Sequence, residues 1–290
     1  MNKSPHLVYR HLAWLTPLLL YSSDALAWGL YTHVYFAQQL VWAFPLADPR
    51  FRRAVSAFPG WVMAGACLPD ISLTGQYAGT HDFRQTHQWD TARRLLEQAC
   101  CDEERAIALG FASRLLVDII AHNHFVPAHE KLWLNLPALT HASSEWAMDA
   151  HVIKHVFNSP AKLLKQHRNE LAHFAAAQFQ CDPLKARHAI MMLANADVVL
   201  RASRLADGLY HTGKVLDRNL KRRFNYYLRE TTKRPVQINR VIAGHHPAWH
   251  PEPPLPHLAH DRVRSHTMRQ INCYLPLPTD FFLDAEELEV

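Results

Sequence analysis

Acidic and imidazole side chains recur in this sequence at spacings suited to holding a metal ion. Asp118 and His122 stand four residues apart in the apolar run Gly110–His124, GFASRLLVDIIAHNH. On a helix they project from one face, a turn apart. Phe111, Leu115, Leu116, Ile119 and Ile120 give the run its helical i, i+3, i+4 pattern. A carboxylate sunk in such a helix must be neutralised, by a metal ion or by a proton. The imidazole one turn away favours the metal, although an Asp–His pair alone also occurs as a plain structural hydrogen bond.

Further stations add weight. His141, Glu145 and Asp149 fall at i, i+4 and i+8 on one helical stripe, with Trp146, Ala150, Ile153 and Phe157 on the opposite one. Asp70 follows Leu68-Pro69, where proline ends a mostly helical stretch over 51–67 and leaves the acid at its mouth. His81 and His87 precede the next helix, and spacing does not choose between them as partners of Asp70. His124 competes with His122 in the same way. While the helix persists, His124 points about a third of a turn aside, and it turns back only if Pro127 unwinds the helix early, so His122 is preferred.

The elements that must position these groups are helices. Nine glycines in 290 residues, a 49% hydrophobic composition and long Ala/Leu/Arg/Gln/Glu-containing segments indicate an all-α protein with a substantial core. Residues 1–27 carry Lys3 and Arg10, an apolar run over Leu12–Tyr21 and the small residues Ala25 and Ala27. That is the pattern of a secretory signal peptide, with an apolar run too short to span a bilayer. Such a peptide directs export, to the periplasm or beyond, and its cleavage after Ala27 would leave Trp28 as the first residue. A free α-amine titrates near ~8 and chelates a metal together with its own carbonyl. His33, shortly after it, can close the same site.

Residues 28–245 read as one multi-helix bundle, and 246–290 as a Pro-rich extended segment that links or straps the domain and ends in an acidic tail. The net charge of +5 comes largely from Lys214–Arg240. There Lys221–Tyr227 reads as a helix with a solvated basic face, which also suits contact with phosphates. The odd count of five cysteines leaves at least one thiol unpaired within the chain.

Taken in order, Trp-Gly with a following His, then Asp, His, a helix-borne Asp with His, and His-x-x-x-Glu resemble the zinc-dependent phospholipase C superfamily. That superfamily includes the N-terminal domain of glycosylphosphatidylinositol-specific phospholipase D and, more distantly, the single-strand-specific nucleases. The resemblance covers roughly residues 28–157 and implies a helical bundle around up to three zinc ions. Carried over by position, Trp28 and His33 would hold one zinc, and Asp118 would bridge it to a second bound by Asp70 with His87 or His81. A third would rest on His122 or His124, His141 and Glu145. The Asp118-Ile-Ile-Ala-His122-Asn123 form is closest to the phospholipase D branch. One position departs: Arg114 stands where these enzymes place a zinc-binding histidine, and a guanidinium stays protonated and cannot ligate zinc. Either it pairs with Asp118 and leaves fewer metals, or it grips a substrate phosphate.

The implied activity is zinc-dependent phosphodiester hydrolysis. Asp70 or Asp118 would orient the attacking water and Arg114 would neutralise the phosphate. Phospholipid is the favoured substrate, with peripheral contact to a membrane surface, and nucleic acid ranks second. The alternative is a catalytically silent helical protein that binds metal or a partner through a degenerate site.

Overall fold

The computed structural model describes residues 29–133, 137–253, 256–272 and 274–283. Trp28 and the signal peptide expected over 1–27 lie outside the described residues. Every regular element among the described residues is helical: α1 (Leu30–Ala43), α2 (Pro49–Ala57), α3 (Pro59–Gly65), α4 (Ile71–Gly75), α5 (Trp89–Gln98), α6 (Asp102–Ile120), α7 (Val126–Leu132), α8 (Pro137–Val152), α9 (Pro160–Gln166), α10 (Arg168–Phe179), α11 (Pro183–Ala202), α12 (Leu205–Leu216), α13 (Leu220–Thr232), α14 (Ile238–Ile242), α15 (Pro256–Arg264) and α16 (Met268–Asn272). The protein is thus all-α, as its composition requires.

Several helix starts follow one local rule, a short polar residue before proline. Asp48 accepts from the Arg50 N–H at 2.7 Å, Ser159 from that of Lys162 at 3.3 Å and Asp182 from that of Leu184 at 2.7 Å. Each side chain satisfies an N–H left orphaned by the first turn, and the proline that follows has none to satisfy. Proline also corrects one expectation. The helical stretch over 51–67 is split at Pro59, whose ring drives Phe58 out of the α region (φ −129°, ψ 52°). The two pieces meet at 98°.

At the centre runs α6, buried at every residue from Ala106 to Ile120, with α1, α2, α3 and α5 packed around it. It approaches α3 backbone to backbone. A Cβ on Gly110 would stand 2.0 Å from the Val62 carbonyl oxygen, and one on Gly65 would stand 2.3 Å from that of Ile107. Only glycine at both positions permits the crossing.

Pro127 does not stop this helix. A π-helical turn, Ala121–Phe125, carries α6 into α7, and the Val126 N–H reaches back to the Ala121 carbonyl. Pro127 then falls in the first turn of α7, where its missing N–H breaks no ladder. The resulting 31-residue run, Asp102–Leu132, is long and apolar enough to cross a membrane, but its apolar window is wholly buried in the bundle.

Two expectations near the periphery change. Phe157, expected in the core with Trp146, is 74% exposed, because α8 ends at Val152 and the 3-10 turn Ile153–His155 shifts the helical phase. The segment 246–290 is extended only in part. Residues 246–253 form a strap without regular structure, but α15 and α16 follow, and α15 packs on α7. The acidic end is anchored as far as it is described, with Phe281 fully buried and Asp280 paired to Arg240 at 2.7 Å. Cys67, Cys100, Cys101 and Cys181 are free thiols, so the described residues contain no disulfide.

Gly110→Ala should destabilise the protein by about 3 kcal/mol, since two backbones must move apart to admit a methyl group. Urea denaturation measures this; an unchanged midpoint would show that α3 and α6 do not cross so closely.

Candidate metal centre

Five segments converge at the buried end of α6. α1 brings His33, the 3-10 turn Leu68–Asp70 brings Asp70, and the loop before α5 brings His87. α6 and its π turn contribute Arg114, Asp118 and His122, and α8 contributes His141 and Glu145. The π turn belongs to the site, since the widened backbone holds His122 at the bundle interior while the helix continues.

Arg114 joins the acids. Its Nη1 and Nη2 donate to the two Asp70 oxygens at 2.8 and 2.7 Å, and its Nε donates to Asp118 Oδ2 at 3.1 Å. The other Asp118 oxygen faces His33 Nε2 at 3.2 Å, with both side chains wholly buried. His87 Nε2 lies 3.8 Å from Asp70 Oδ1. Beside this network, His141 Nε2 stands 3.0 Å from Glu145 Oε1, and the His122 and His141 rings are 5.3 Å apart. Ligand atoms of His122, His141 and Glu145 all lie within 4.8 Å of one another.

The structure separates the alternatives that spacing left open. His87 is buried beside Asp70, whereas His81 is exposed in the same loop. His122 faces His141, whereas His124 packs its ring 5.5 Å from Trp249 on the strap side. Asp149, on the stripe of His141 and Glu145, serves a different purpose. It accepts from the Tyr31 N–H (3.3 Å), the Thr32 N–H (2.8 Å) and Thr32 Oγ1 (2.8 Å), capping α1 from outside, and it is itself held by Arg201 Nη2 at 3.0 Å. Asp149 therefore fixes the helix start that carries His33. Arg114 in turn has its forked edge engaged by Asp70, so it does not offer that fork to a phosphate.

Sequence reasoning missed Glu252. The strap is tied over the π turn by Asn123 Nδ2, which donates to the His250 carbonyl at 3.0 Å, and by Trp89 Nε1, which donates to that of Trp249 at 2.8 Å. Glu252 is thereby brought to 3.6 Å from His87 Nδ1. The only signal was a single acid within an otherwise Pro- and His-rich stretch.

Burial governs the electrostatics. It pushes the Glu145 carboxyl up to about 8, opposed by His141, and pushes Glu252 to about 8 with help from Asp118. Asp70 and Asp118 also lie above the ordinary carboxylate range through burial, and Arg114 pulls both back. Burial holds His87 and His122 neutral, well below the usual imidazole value. Neutral imidazoles beside carboxylates are a zinc donor set. The fit is supported by buried atoms with no hydrogen-bond partner: Nε2 of His122 and Oε2 of Glu145 at one station, Nε2 of His87 and Oε1 of Glu252 at another.

A family model described as zinc dependent phospholipase C matches residues 32–231, from the first turn of α1 to the end of α13. The chain belongs to that family, which sets it among zinc-dependent phosphodiester hydrolases. Comparison with curated proteins gives no match, and neither does comparison with solved structures.

The Glu145 carboxyl gives a pH signature in chelator-treated protein. Unfolded, it ionises near its ordinary 4.5; folded and metal-free, it holds its proton to about 8. Folding therefore takes up a proton between these values, and its contribution to stability is lost as pH rises through the folded value. The buried neutral histidines give the opposite slope, but only below about 6.5, where the unfolded chain binds protons. From pH ~6.5 to ~8 the metal-free Tm should fall, and zinc, which takes the ionised carboxylate, should abolish the fall. A metal-free Tm that rises across this window would contradict the burial of Glu145.

Proposed function

We propose that the protein is an exported hydrolase that cleaves phospholipid phosphodiesters at a multinuclear zinc site. The observation that carries this reading is the convergence of His122, His141 and Glu145 beside His33 and Asp118, in a chain of the zinc-dependent phospholipase C family. Export would remove residues 1–27 and leave Trp28, five residues before His33, with a free α-amine. Bound zinc supplies an activated water and a Lewis acid for the phosphate oxygens. The protein's own groups do the rest. Asp118, locked between Arg114 and His33, presents a fixed oxygen that orients the water. His87, with Glu252 3.6 Å from its Nδ1, keeps a buried neutral imidazole whose Nε2 faces Asp70. Arg114 neutralises Asp70 and Asp118 and positions them.

Glu145→Gln keeps the shape of the side chain and removes its charge. It should lose one zinc and reduce hydrolysis of phosphatidylcholine by more than the ~10–100-fold typical of an outer-sphere partner. Metal analysis and assays on phosphatidylcholine and single-stranded DNA check this. Zinc-replete protein that cleaves only the DNA would make it a nuclease of the same fold, and protein that cleaves neither would favour the silent binding role.

Membrane contact is part of the proposal and has its own support. A groove of about 1300 Å³ beside α13 is lined by Lys154, Lys221, Arg222, Arg229 and Lys233, the last two also paired with Glu230. Phe157 lines it and packs edge-on against Trp42, which is 57% exposed. Basic side chains beside exposed aromatics suit an anionic bilayer surface. Trp42→Ala with Phe157→Ala should weaken binding to anionic vesicles roughly tenfold. Equal binding of wild type and double variant would remove this surface from the proposal.

A further inference from the structure

Asp70, Asp118 and His87 make up a donor set that a dication would fit, yet a side chain already stands among them. The Arg114 guanidinium reaches both Asp70 oxygens at 2.8 and 2.7 Å and Asp118 Oδ2 at 3.1 Å, so Nη1, Nη2 and Nε each donate to one of these carboxylates. Its side chain has no solvent exposure, and that of Asp70 has 8%. A guanidinium does not deprotonate in a protein, so it cannot yield its place by becoming neutral. Nor can it swing aside cheaply, since leaving would strand a buried cation and two buried anions without partners. The packing around it is fixed as well. Arg114 lies one turn beyond Gly110, where α6 presses against α3 backbone to backbone.

We propose that Arg114 is the resident cation of the Asp70–Asp118 position, so that the chain binds zinc at the His122–His141–Glu145 and His33–Asp118 stations and none on Asp70. This rests on the zinc hydrolase reading and adds to it. One metal of the cluster is replaced by a covalently tethered monocation, which clamps two carboxylates but cannot activate a water. His87 is then released from metal binding. Its Nε2 faces the clamped Asp70 oxygen at 3.8 Å, and its Nδ1 faces Glu252 at 3.6 Å. His87 and Glu252 then stand side by side at the edge of the site, Glu252 supplied by a strap that lies beyond the residues matched to the family.

The test counts and locates zinc in the full exported chain, with its native N-terminus, after equilibration with zinc and removal of excess. Wild type should hold about two ions, and Arg114→His, which puts a neutral ligand one turn before Asp118, should hold about three. Anomalous diffraction at the zinc edge from wild-type crystals keeps the test independent of how the variant folds. No zinc should lie within ligand distance of Asp70. A zinc on Asp70, or three ions in the wild type, would overturn the assignment of Arg114 while leaving the hydrolase reading intact. Wild type that takes up no zinc at all would overturn both.

Discussion

The end of α6 depends on one buried electrostatic knot. Asp70 and Asp118 are acids with almost no access to water, and burying either as an unpaired anion is prohibitive. A single guanidinium resolves both, with a fork on Asp70 and Nε on Asp118. Because Asp70 sits on the turn after α3 and Asp118 on α6, the same bonds pin those elements to each other. Ion pairs of this kind add little net stability compared with apolar packing, but they fail badly when one member is removed. They are therefore well suited to fixing geometry.

Around that knot, two backbone devices set where the other candidate ligands fall. The Gly65–Gly110 crossing brings α3 close enough for Asp70 to reach Arg114. The π turn then lets α6 pass a proline without breaking, which keeps His122 on the inside of the bundle and turns Asn123 toward the strap. A third device acts from a distance. Asp149, steadied by Arg201, caps α1 and so sets the position of His33, and Arg201 also covers the Tyr31 ring at 4.7 Å. Asp149 looks like a ligand in the sequence because it shares the stripe of His141 and Glu145. Structurally it does supporting work, holding the helix start from which His33 reaches Asp118.

What could be read from the sequence divides along physical lines. Periodicity and composition carry the all-α fold, and i, i+4 spacing carries His141 with Glu145, a local fact of one helix; for Asp118 and His122 it carries only their place on one continuous run, since a π turn begins between them. The choice between His81 and His87 was not legible, because it depends on how a loop folds back across the bundle. The outcome at Pro127 was hidden for another reason: proline, with no N–H, donates no helical hydrogen bond in either register, but the π turn just before it, closed by the Val126 N–H on the Ala121 carbonyl, carries the chain through, so the residue type alone does not say whether the helix stops. Phe157 was misjudged because a 3-10 turn changes the phase that the stripe assumed. Glu252 could not be placed at all, since its approach to His87 spans the sequence from the loop before α5 to the strap and is fixed by Trp89 and Asn123.

Arg114 shows how far local and non-local information differ in kind. Its spacing from Asp118 announces an i, i+4 ion pair, and that pair is present. Nothing local announces that the remaining edge of the guanidinium closes on Asp70, yet this second contact decides the chemistry. With only Asp118 as partner, the fork would be free for a phosphate and the side chain would be a substrate-binding group. With Asp70 on the fork, the charge is neutralised inside the protein and the group becomes part of the scaffold. Under the proposed zinc-hydrolase function, a substrate phosphate would then be met by the ions held at the His122–His141–Glu145 and His33–Asp118 stations rather than by Arg114.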